Sequence, residues 1–534
     1  MADLILYNGK LQTQDPDFPD ATAIALRGNR ILAVGSDSQI LALANSNTQQ
    51  INLEGKRVLP GMTDAHIHFY EWALLLRGLT IDDSRSLEEV QGRVLAAASK
   101  ATPGTWIIGQ GWNQDNWPDP KLPGRFDLDE LSPHNPVILW RTDLHMAWVN
   151  TLALKAANIT SSTPDPEMGI IDHDLSGEPN GIVRELAMNL IRHVMPAATY
   201  EEIDSSMIKA TEKIHALGLT GVHDFRIMGG DDGQPALRAW QRLRAKQDLK
   251  LRAWVMLPGE TLADDISLGL QSGFGDDLLR LGGAKFFSDG ATGPRTAWML
   301  EPFLDAGTGF PLTPMKNLAE GISKAHQAGI STAIHAIGDR AIRELLEVYT
   351  EVLQQQEGHA GPRVPHRIEH VQHSHPDDLK RLAPLGLVAS VQPLHLTDDM
   401  HMIDKACGTR AGWAYAFRDL LKAGTVLAFG SDCPVASPNP FWGIHAAVTR
   451  QRRDGTPADG WYPEQRMSVT EAVWAYTMGT ALASGRQADL GSLTPAKLAD
   501  LVVLDRDIFD TDPKGIADTQ VVMTIFDGKI VYEI

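Results

Sequence analysis

The feature that most constrains the fold is a regular alternation of helical and apolar segments, which begins near residue 201 and continues to residue 432. Each helical segment is followed by a short apolar run that ends in polar residues. The runs are T-G-V-H-D-F, R-A-W-V-M-L, G-A-K-F-F-S-D-G, S-T-A-I-H-A-I-G-D, H-R-I-E-H-V-Q, V-A-S-V-Q-P-L-H and T-V-L-A-F-G-S-D, and the earlier M-T-D-A-H-I-H adds an eighth. Eight strand–helix units predict an α/β fold, the (β/α)8 TIM barrel, whose chemistry lies at the carboxyl ends of the strands. An open doubly wound sheet would instead need a glycine-rich phosphate loop after an early strand, and the sequence shows none there.

The two ends of the chain share a different texture, with short β-type segments separated by tight-turn signals. Asn8-Gly9 and Gly28-Asn29 lie near the N-terminus, and Asp527-Gly528 lies near the C-terminus. Because the termini of a domain often lie close together, we predict that residues 1–58 and 489–534 pair into one composite β-sandwich. The barrel then comprises residues 59–70 and 201–488. Residues 71–200, rich in Trp, Pro and Gly, are predicted to form a subdomain inserted after the first barrel strand.

The composition argues against several classes of partner. The 534 residues carry a net charge of −19, whereas nucleic acid and anionic membrane surfaces both select for clustered Lys and Arg. No apolar run reaches the roughly 18 residues that suggest a membrane-spanning helix, and the N-terminal apolar run is too short for a signal peptide. With only Cys407 and Cys433, the chain implies no disulfide framework, and a reducing cytoplasm is the expected location. The sequence leaves the oligomeric state open, a homo-oligomer included.

Side chains that bind metals recur where the predicted strands end. In R-V-L-P-G-M-T-D-A-H-I-H-F, His66 and His68 would project from one face of a strand about 7 Å apart, and paired imidazoles suit zinc and related metals. Later strand ends supply four further candidates, which are Lys285, His335, His370 and Asp432. A single histidine at such a position is more often a hydrogen-bonded core residue. Six ligand-type residues at strand ends favour a metal centre instead.

Together these motifs resemble the amidohydrolase superfamily, whose members are metal-dependent hydrolases on a (β/α)8 barrel with a composite β-sandwich. The chain is especially similar to the YtcJ-like branch, which includes N-substituted formamide deformylases. The motifs that carry the resemblance span nearly the whole chain and are P-G-M-T-D-A-H-I-H, G-W-N-Q-D-N-W, L-H-M-A-W-V-N, F-F-S-D-G-A-T-G-P-R-T-A, I-H-A-I-G-D-R-A, R-I-E-H-V-Q, S-V-Q-P-L-H, F-G-S-D-C-P-V and A-D-L-V-V-L-D. Leu144 and Pro294 depart from the pattern of the branch near the expected substrate pocket, which puts the specificity in question rather than the catalysis.

The resemblance implies a centre of up to two divalent ions, zinc first of all, although one ion would also fit the family. By this resemblance His66 and His68 hold one ion, His335 and His370 hold the other, Lys285 bridges both as a carbamate formed with carbon dioxide, and Asp432 completes the site. A buried lysine loses its proton readily, and its carbamate is an anion with two oxygens. Metals of this kind would activate hydroxide and polarise the scissile carbonyl, while Asp432 would transfer the proton. The expected function is hydrolysis of a non-peptide carbon–nitrogen bond in a small amide.

Five residues near the expected mouth of the site are candidates for substrate binding. They are Trp112, His145, Arg295, His395 and Trp442. The insertion also contains Trp117, Trp140 and Trp148, and aromatic walls favour apolar ligands. We therefore expect residues 71–200 to cover the metals and to select amides or formamides with a hydrophobic or aromatic N-substituent. Packing inside the subdomain is an equally good interpretation of each tryptophan.

Two other functions stay open on the sequence alone. A mononuclear aminohydrolase that deaminates a heterocycle usually carries a Glu after the histidine of the fifth strand, whereas this chain has H-A-I-G-D there. A non-catalytic barrel scaffold would be expected to have lost ligand residues, and all six are present. Both observations favour the amide hydrolase.

Overall fold

The N-terminal residues form two small sheets in the computed structural model, which describes residues 1–534 apart from 19, 143, 168, 228–232, 357, 359 and the side chain of residue 116. Their elements are β1 Leu4–Tyr7, β2 Lys10–Gln12, β3 Asp20–Ala21, β4 Ala23–Arg27, β5 Arg30–Gly35, α1 Asp37–Leu41, β6 Gln49–Asn52 and β7 Arg57–Pro60. One sheet has the order β5-β4-β1-β6, and in the other β2 lies between β3 and β7. Gly28-Asn29 turns β4 back into β5 as predicted. Asn8-Gly9 instead carries the chain from one sheet to the other, because β1 pairs with β4 and β6.

The first barrel strand is followed at once by the insertion. The elements from this strand to the end of the insertion are β8 Met62–Ile67, α2 Phe69–Leu75, β9 Leu79–Thr80, α3 Leu87–Ala98, β10 Ile107–Trp112, α4 Phe126–Asp129, β11 Val137–Arg141, β12 Met146–Val149, α5 Thr151–Ala156, β13 Gly169–His173, β14 Pro179–Glu185 and α6 Met188–Arg192. Strands β9 to β14 form their own sheet in the order β13-β14-β12-β11-β10-β9. The insertion therefore has a sheet and a core of its own.

The remaining barrel strands alternate with helices as the sequence predicted. The elements are α7 Tyr200–Ala216, β15 Leu219–Asp224, α8 Gly233–Lys246, β16 Arg252–Pro258, α9 Leu262–Ser267, β17 Leu279–Phe287, α10 Met315–Gln327, β18 Thr332–Ala336, α11 Asp339–Gln355, β19 Arg367–His370, β20 Val388–Val391, α12 Pro393–Cys407, α13 Phe417–Lys422, β21 Val426–Phe429, α14 Pro440–Thr449, α15 Val469–Tyr476 and α16 Met478–Ala483. Helix α7 shows why such segments fold: a capping box between Thr199 and Glu202 starts it, and its buried face carries Ile203, Met207 and Ile214. No helix in the described part of the chain is long and apolar enough to cross a membrane.

The eight barrel strands run parallel in the order β21-β20-β19-β18-β17-β16-β15-β8, and they form a nearly closed barrel. Most of their residues are buried, as expected for strands that are covered on both faces. Hydrogen bonds just beyond β21 join the last strand to the first. The Ser431 N–H and hydroxyl both donate to Asp64, and the Asp432 N–H donates to the His66 carbonyl at 2.6 Å.

The C-terminal segment returns to the N-terminal sheet. Its strands are β22 Leu501–Leu504, β23 Val521–Phe526 and β24 Lys529–Glu533, and the sheet order is β24-β23-β22-β7-β2-β3. Strand β22 pairs antiparallel with β7, and Asp527-Gly528 forms the predicted turn between β23 and β24. The predicted boundary at residue 58 falls inside β7. The predicted barrel with a β-sandwich built from both termini is confirmed.

Candidate metal centre

The structure brings the six predicted ligand residues to the carboxyl-terminal end of the barrel. His66 is the next-to-last residue of β8, and His68 directly follows that strand. Lys285 lies in β17, His335 in β18 and His370 in β19. Asp432 follows β21 by three residues. All six side chains are buried. The ring centres of His66 and His68 are 5.5 Å apart, and those of His335 and His370 are 4.5 Å apart.

Four histidines of this cluster each use one ring nitrogen to contact an acceptor held by the fold. The contacts are His66 Nδ1 with Glu369 Oε2 at 2.7 Å, His68 Nδ1 with the Phe225 carbonyl at 2.9 Å, His370 Nδ1 with Gln392 Oε1 at 2.8 Å, and His335 Nε2 with the Gly290 carbonyl at 3.0 Å. Since each acceptor is an oxygen, the ring N–H lies on that side. The opposite nitrogen of each ring then carries the lone pair, which is the usual arrangement in histidines that bind metals.

Asp432 shows most directly that a cation fits here. Its Oδ1 lies 2.9 Å from Nε2 of His68 and 3.5 Å from Nε2 of His66. Yet Oδ1 is buried and has no aligned hydrogen-bond donor among the described residues. A buried carboxylate oxygen that faces imidazole lone pairs is unfavourable alone, and a shared divalent ion would stabilise all three groups.

Burial also keeps the ligand groups in the protonation states that metals require. Desolvation lowers the pKa of His66 to about 4 and places those of His335 and His370 well below the usual value, so these rings are neutral near pH 7. Desolvation lowers the pKa of Lys285 to about 8, although Glu369 and Asp432 oppose the shift. The Lys285 amine lies 4.9 Å from the ring centre of Phe225 and 4.7 Å from that of Phe287, and these aromatic faces only partly replace the water that burial removes. A sizeable fraction of Lys285 is therefore a neutral amine at mildly alkaline pH.

Two groups of side chains bring three ligand atoms each to within 4.8 Å of one another, and they share Asp432. One consists of His66, His68 and Asp432, and the other of His370, His395 and Asp432. His395 lies in the first turn of α12 rather than at a strand end. Its Nε2 is 3.8 Å from Asp432 Oδ2 and has no hydrogen-bond partner in the described structure. His395 thus joins the centre, whether it contacts substrate, as predicted, or a metal.

Sequence reasoning missed Glu369 and Gln392, whose side chains hold candidate ligands in place. Glu369 binds His66 and also forms a buried ion pair with Arg367 at 2.6 Å. Asp289 accepts backbone N–H groups of Trp298, Ile337 and Gly338 and lies 3.8 Å from His335 Nε2. Arg367 and Glu369 could have been noticed as two charged residues at alternate positions of a strand predicted to be buried. Gln392 carries no comparable signal, because its role depends on a contact between different segments of the chain.

Three of the predicted substrate residues have their described contacts elsewhere. Trp112 is fully buried in the core of the insertion, where its Nε1 donates to the Leu139 carbonyl at 2.8 Å. Arg295 forms a two-pronged ion pair with Asp305 at 2.9 and 2.8 Å. Trp442 donates to the Ala517 carbonyl at 3.2 Å. For the tryptophans, these contacts favour the packing interpretation over the substrate pocket.

His145 is the predicted substrate residue of the insertion that lies near the centre. It precedes β12, and its Nδ1 lies 2.8 Å from Glu185 Oε2. Burial is the main cause of the lowered pKa of His335, and the charge of His145 makes a minor contribution to it. The insertion therefore places at least one titratable side chain within electrostatic reach of a candidate metal ligand.

Comparison with known proteins agrees with this geometry. A model of the amidohydrolase family matches residues 49–532. Protein LONG AFTER FAR-RED 3 of Arabidopsis thaliana is 36% identical, over 100% of this chain and 92% of that protein. The N-substituted formamide deformylase of Arthrobacter pascens is 27% identical, over 100% of this chain and 99% of that protein. A crystal structure of an uncharacterized metal-dependent hydrolase from Pyrococcus horikoshii OT3 is 27% identical and has a TM-score of 0.78, over 96% of this chain and 99% of its own. The predicted resemblance is confirmed.

Proposed function

The chain belongs to the amidohydrolase family and is a hydrolase, and from this premise we propose that it cleaves the carbon–nitrogen bond of a small N-substituted amide such as a formamide. The observation that carries the proposal is the set of four histidines at the same end of the barrel as Asp432, each with one ring nitrogen fixed by the fold. Histidines that only pack in a core do not need ring orientations fixed in this way. The likeness to a formamide deformylase supports the substrate class.

We propose up to two divalent ions, zinc in the first place, held by His66 and His68 on one side and by His335 and His370 on the other. A bound ion of this kind supplies Lewis acidity and lowers the pKa of water. Lys285 would add carbon dioxide through its neutral amine, with loss of one proton, to become the bridging carbamate. Its burial and lowered pKa support this step.

Asp432 is proposed to accept a proton from the attacking water. Its place as the carboxylate shared by both candidate groups supports this role. Burial disfavours the charged form of Asp432, but the neighbouring His66, His68 and His370 hold its pKa well below the usual value, so the carboxylate is ionised and able to accept a proton. An apolar N-substituent remains our expectation for the substrate, although the contacts of Trp112 and Trp442 weaken the argument that first suggested it. Because both cysteines are free thiols, we also propose a reducing cytoplasm as the location.

The test combines metal analysis with a substrate screen. Protein purified without chelators should hold up to two divalent ions per chain and should hydrolyse members of a panel of formamides, acyl amides, carbamates and cyclic imides. His66→Ala and His335→Ala should each lower the metal content, whereas His134→Ala, at an exposed position, should not. Asp432→Asn should reduce turnover by about a hundredfold or more. Full activity in metal-stripped protein would contradict the proposal.

A further inference from the structure

A small cavity lies at the amino-terminal end of the barrel, opposite the candidate metal centre. Its lining includes Thr63 near the start of β8, Arg252 at the start of β16, Arg280 near the start of β17, and Thr480 in α16. Because the barrel strands are parallel, their amino ends meet on the face away from the metal ligands. The cavity volume is about 20 Å³, and roughly 10 to 15 Å³ suffices for one water on the same measure. The cavity therefore admits a water or a monatomic ion.

Three arginines give this cavity a positive lining. They are Arg252, Arg280 and Arg486, and no carboxylate is found among the described residues that line it. The backbone carbonyl of Asp277 accepts from Arg252 at 3.0 Å and from Arg486 at 3.1 Å. Arg280 approaches the same aspartate, with 3.8 Å between its Nη2 and the carboxylate. Asp277 thus holds the three guanidinium groups close to one another, and Arg252 alone also has the close carboxylate of Asp500, at 2.5 Å.

The carboxylates near the other two arginines are shared. The Asp277 carboxylate lies 3.2 Å from Arg486, 3.8 Å from Arg280 and 3.4 Å from Arg30. Asp489 pairs with Arg30 at 2.9 Å and is 4.0 Å from Arg486. In the described part of the chain, neither Arg280 nor Arg486 therefore has a carboxylate to itself. The positive charge on this side of the cavity is only partly balanced.

Arg486 is the least satisfied of the three arginines. Its side chain is only 5% exposed, and its Nε–H is buried with no hydrogen-bond partner among the described residues. Burial lowers the pKa of Arg486 to about 10, and the neighbouring arginines contribute in the same direction, although two carboxylates oppose them. The group is still charged near pH 7, so a buried donor and a buried charge both lack full compensation. An ordered water would accept from Nε but would carry no charge.

We propose that the cavity binds one small monovalent anion, chloride in the first place, between the guanidinium groups of Arg280, Arg486 and Arg252. Guanidinium N–H groups bind anions through charge-assisted hydrogen bonds, and the small volume favours a monatomic ion over sulfate or phosphate. The ion would join β16 and β17 to the segment after α16, so its binding should stabilise the folded barrel. The inference does not depend on the proposed hydrolysis, because the cavity and the metal centre lie at opposite ends of the barrel.

The experiment measures binding directly, by equilibrium dialysis of the metal-loaded protein against radiolabelled chloride, with sodium gluconate keeping the ionic strength constant. The wild type should bind one chloride per chain in a saturable manner, and bromide should displace it better than sulfate does. Arg486→Met should weaken chloride binding about 10- to 100-fold, the scale of a lost hydrogen bond to a charged group. Arg280→Gln should show a similar loss. Because the Arg280 side chain is 25% exposed, this second variant should fold normally.

Arg418→Met is the matched control, since Arg418 is also 25% exposed, pairs with Glu471 at 2.7 Å and is not among the described residues that line the cavity. It should bind chloride as the wild type does. Thermal unfolding is the second measurement. Replacing gluconate by chloride should raise the unfolding temperature of the wild type and of Arg418→Met, and should not raise that of Arg280→Gln.

Three results would overturn the inference while leaving the proposed function untouched. The first is a wild type with no saturable chloride binding, and the second is undiminished binding in both Arg486→Met and Arg280→Gln. The third is chloride binding that persists in these variants and is lost in His66→Ala, because the ion would then lie at the metal centre. Tighter binding of sulfate than of chloride would overturn the assignment to a monatomic anion.

Discussion

At the scale of single residues, the candidate centre depends on acceptors that orient its histidines. Gln392 is the clearest case, because its Oε1 holds His370 at 2.8 Å while its own Nε2 is buried without a described partner. The unsatisfied amide N–H group destabilises the fold, whereas the contact to His370 orients a candidate metal ligand. Gln392 therefore lowers the stability of the fold but fixes the orientation of the His370 imidazole.

Gln392→Met separates these two effects. The thioether keeps the length of the side chain but removes both the acceptor for His370 and the unsatisfied amide. We expect metal affinity to fall about 10- to 100-fold, measured by competition with a chromophoric chelator, while the metal-free protein unfolds at the same temperature or slightly higher. Gln356→Met is the control, because Gln356 is also buried with one unpartnered amide atom and its described side-chain contacts are to Ser323. Unchanged metal affinity in Gln392→Met would show that the His370 contact is only structural.

At the scale of elements, the barrel strands followed from the sequence, whereas the content of the insertion did not. Buried parallel strands have short apolar sequences, and each barrel strand ends in polar residues at the carboxyl-terminal face. A local sequence pattern was therefore enough to predict these strands. The tryptophans of the insertion show no comparable local pattern that would separate a pocket from a core. An aromatic side chain has the same composition signal whether it lines a pocket or packs inside a sheet, and only the fold places Trp112 against Trp117 and Trp148. The roles of Glu369 and Gln392 were missed for the same reason, since each side chain contacts a histidine in another segment of the chain.

Trp112→Ala tests the packing interpretation of the insertion. Removing a fully buried indole should lower the free energy of unfolding by about 3 to 5 kcal/mol, measured by urea denaturation. Losses of activity should be similar for an aromatic amide and for a small formamide, because the indole lies in the subdomain core. Trp106→Ala, at a partly buried position of the same subdomain, should cost less. A selective loss for aromatic amides with unchanged stability would restore Trp112 to the substrate pocket.

At the scale of the whole molecule, a buried ion pair joins the barrel to the β-sandwich. Arg252 begins β16, and Asp500 immediately precedes β22. The guanidinium donates to Asp500 at 2.5 and 2.8 Å and to Asp527 in the last turn at 3.1 Å, and both Arg252 and Asp500 are only 4% exposed at their side chains. The Asp500 carbonyl also accepts from Gly61 at the entry to the first barrel strand, at 2.8 Å. Residues from three distant parts of the sequence thus meet at one point beneath the barrel.

This junction predicts an asymmetry between breaking the pair and replacing it. Asp500→Ala leaves a buried guanidinium without its main partner, so the free energy of unfolding should fall by about 3 to 5 kcal/mol. The double variant Arg252→Met with Asp500→Leu removes both charges and should recover most of that loss, because the desolvation penalty disappears together with the attraction. Urea unfolding of both single variants and the double variant forms a cycle that isolates the coupling energy between Arg252 and Asp500. The control is the same cycle for Lys324→Met and Glu320→Leu, because this exposed pair at 3.9 Å should have a coupling energy near zero. If the double variant were as unstable as Asp500→Ala alone, the polar pair itself would be what holds the sandwich to the barrel. Removal of the pair should then also weaken metal binding, since the first barrel strand begins next to this junction and carries His66 near its other end.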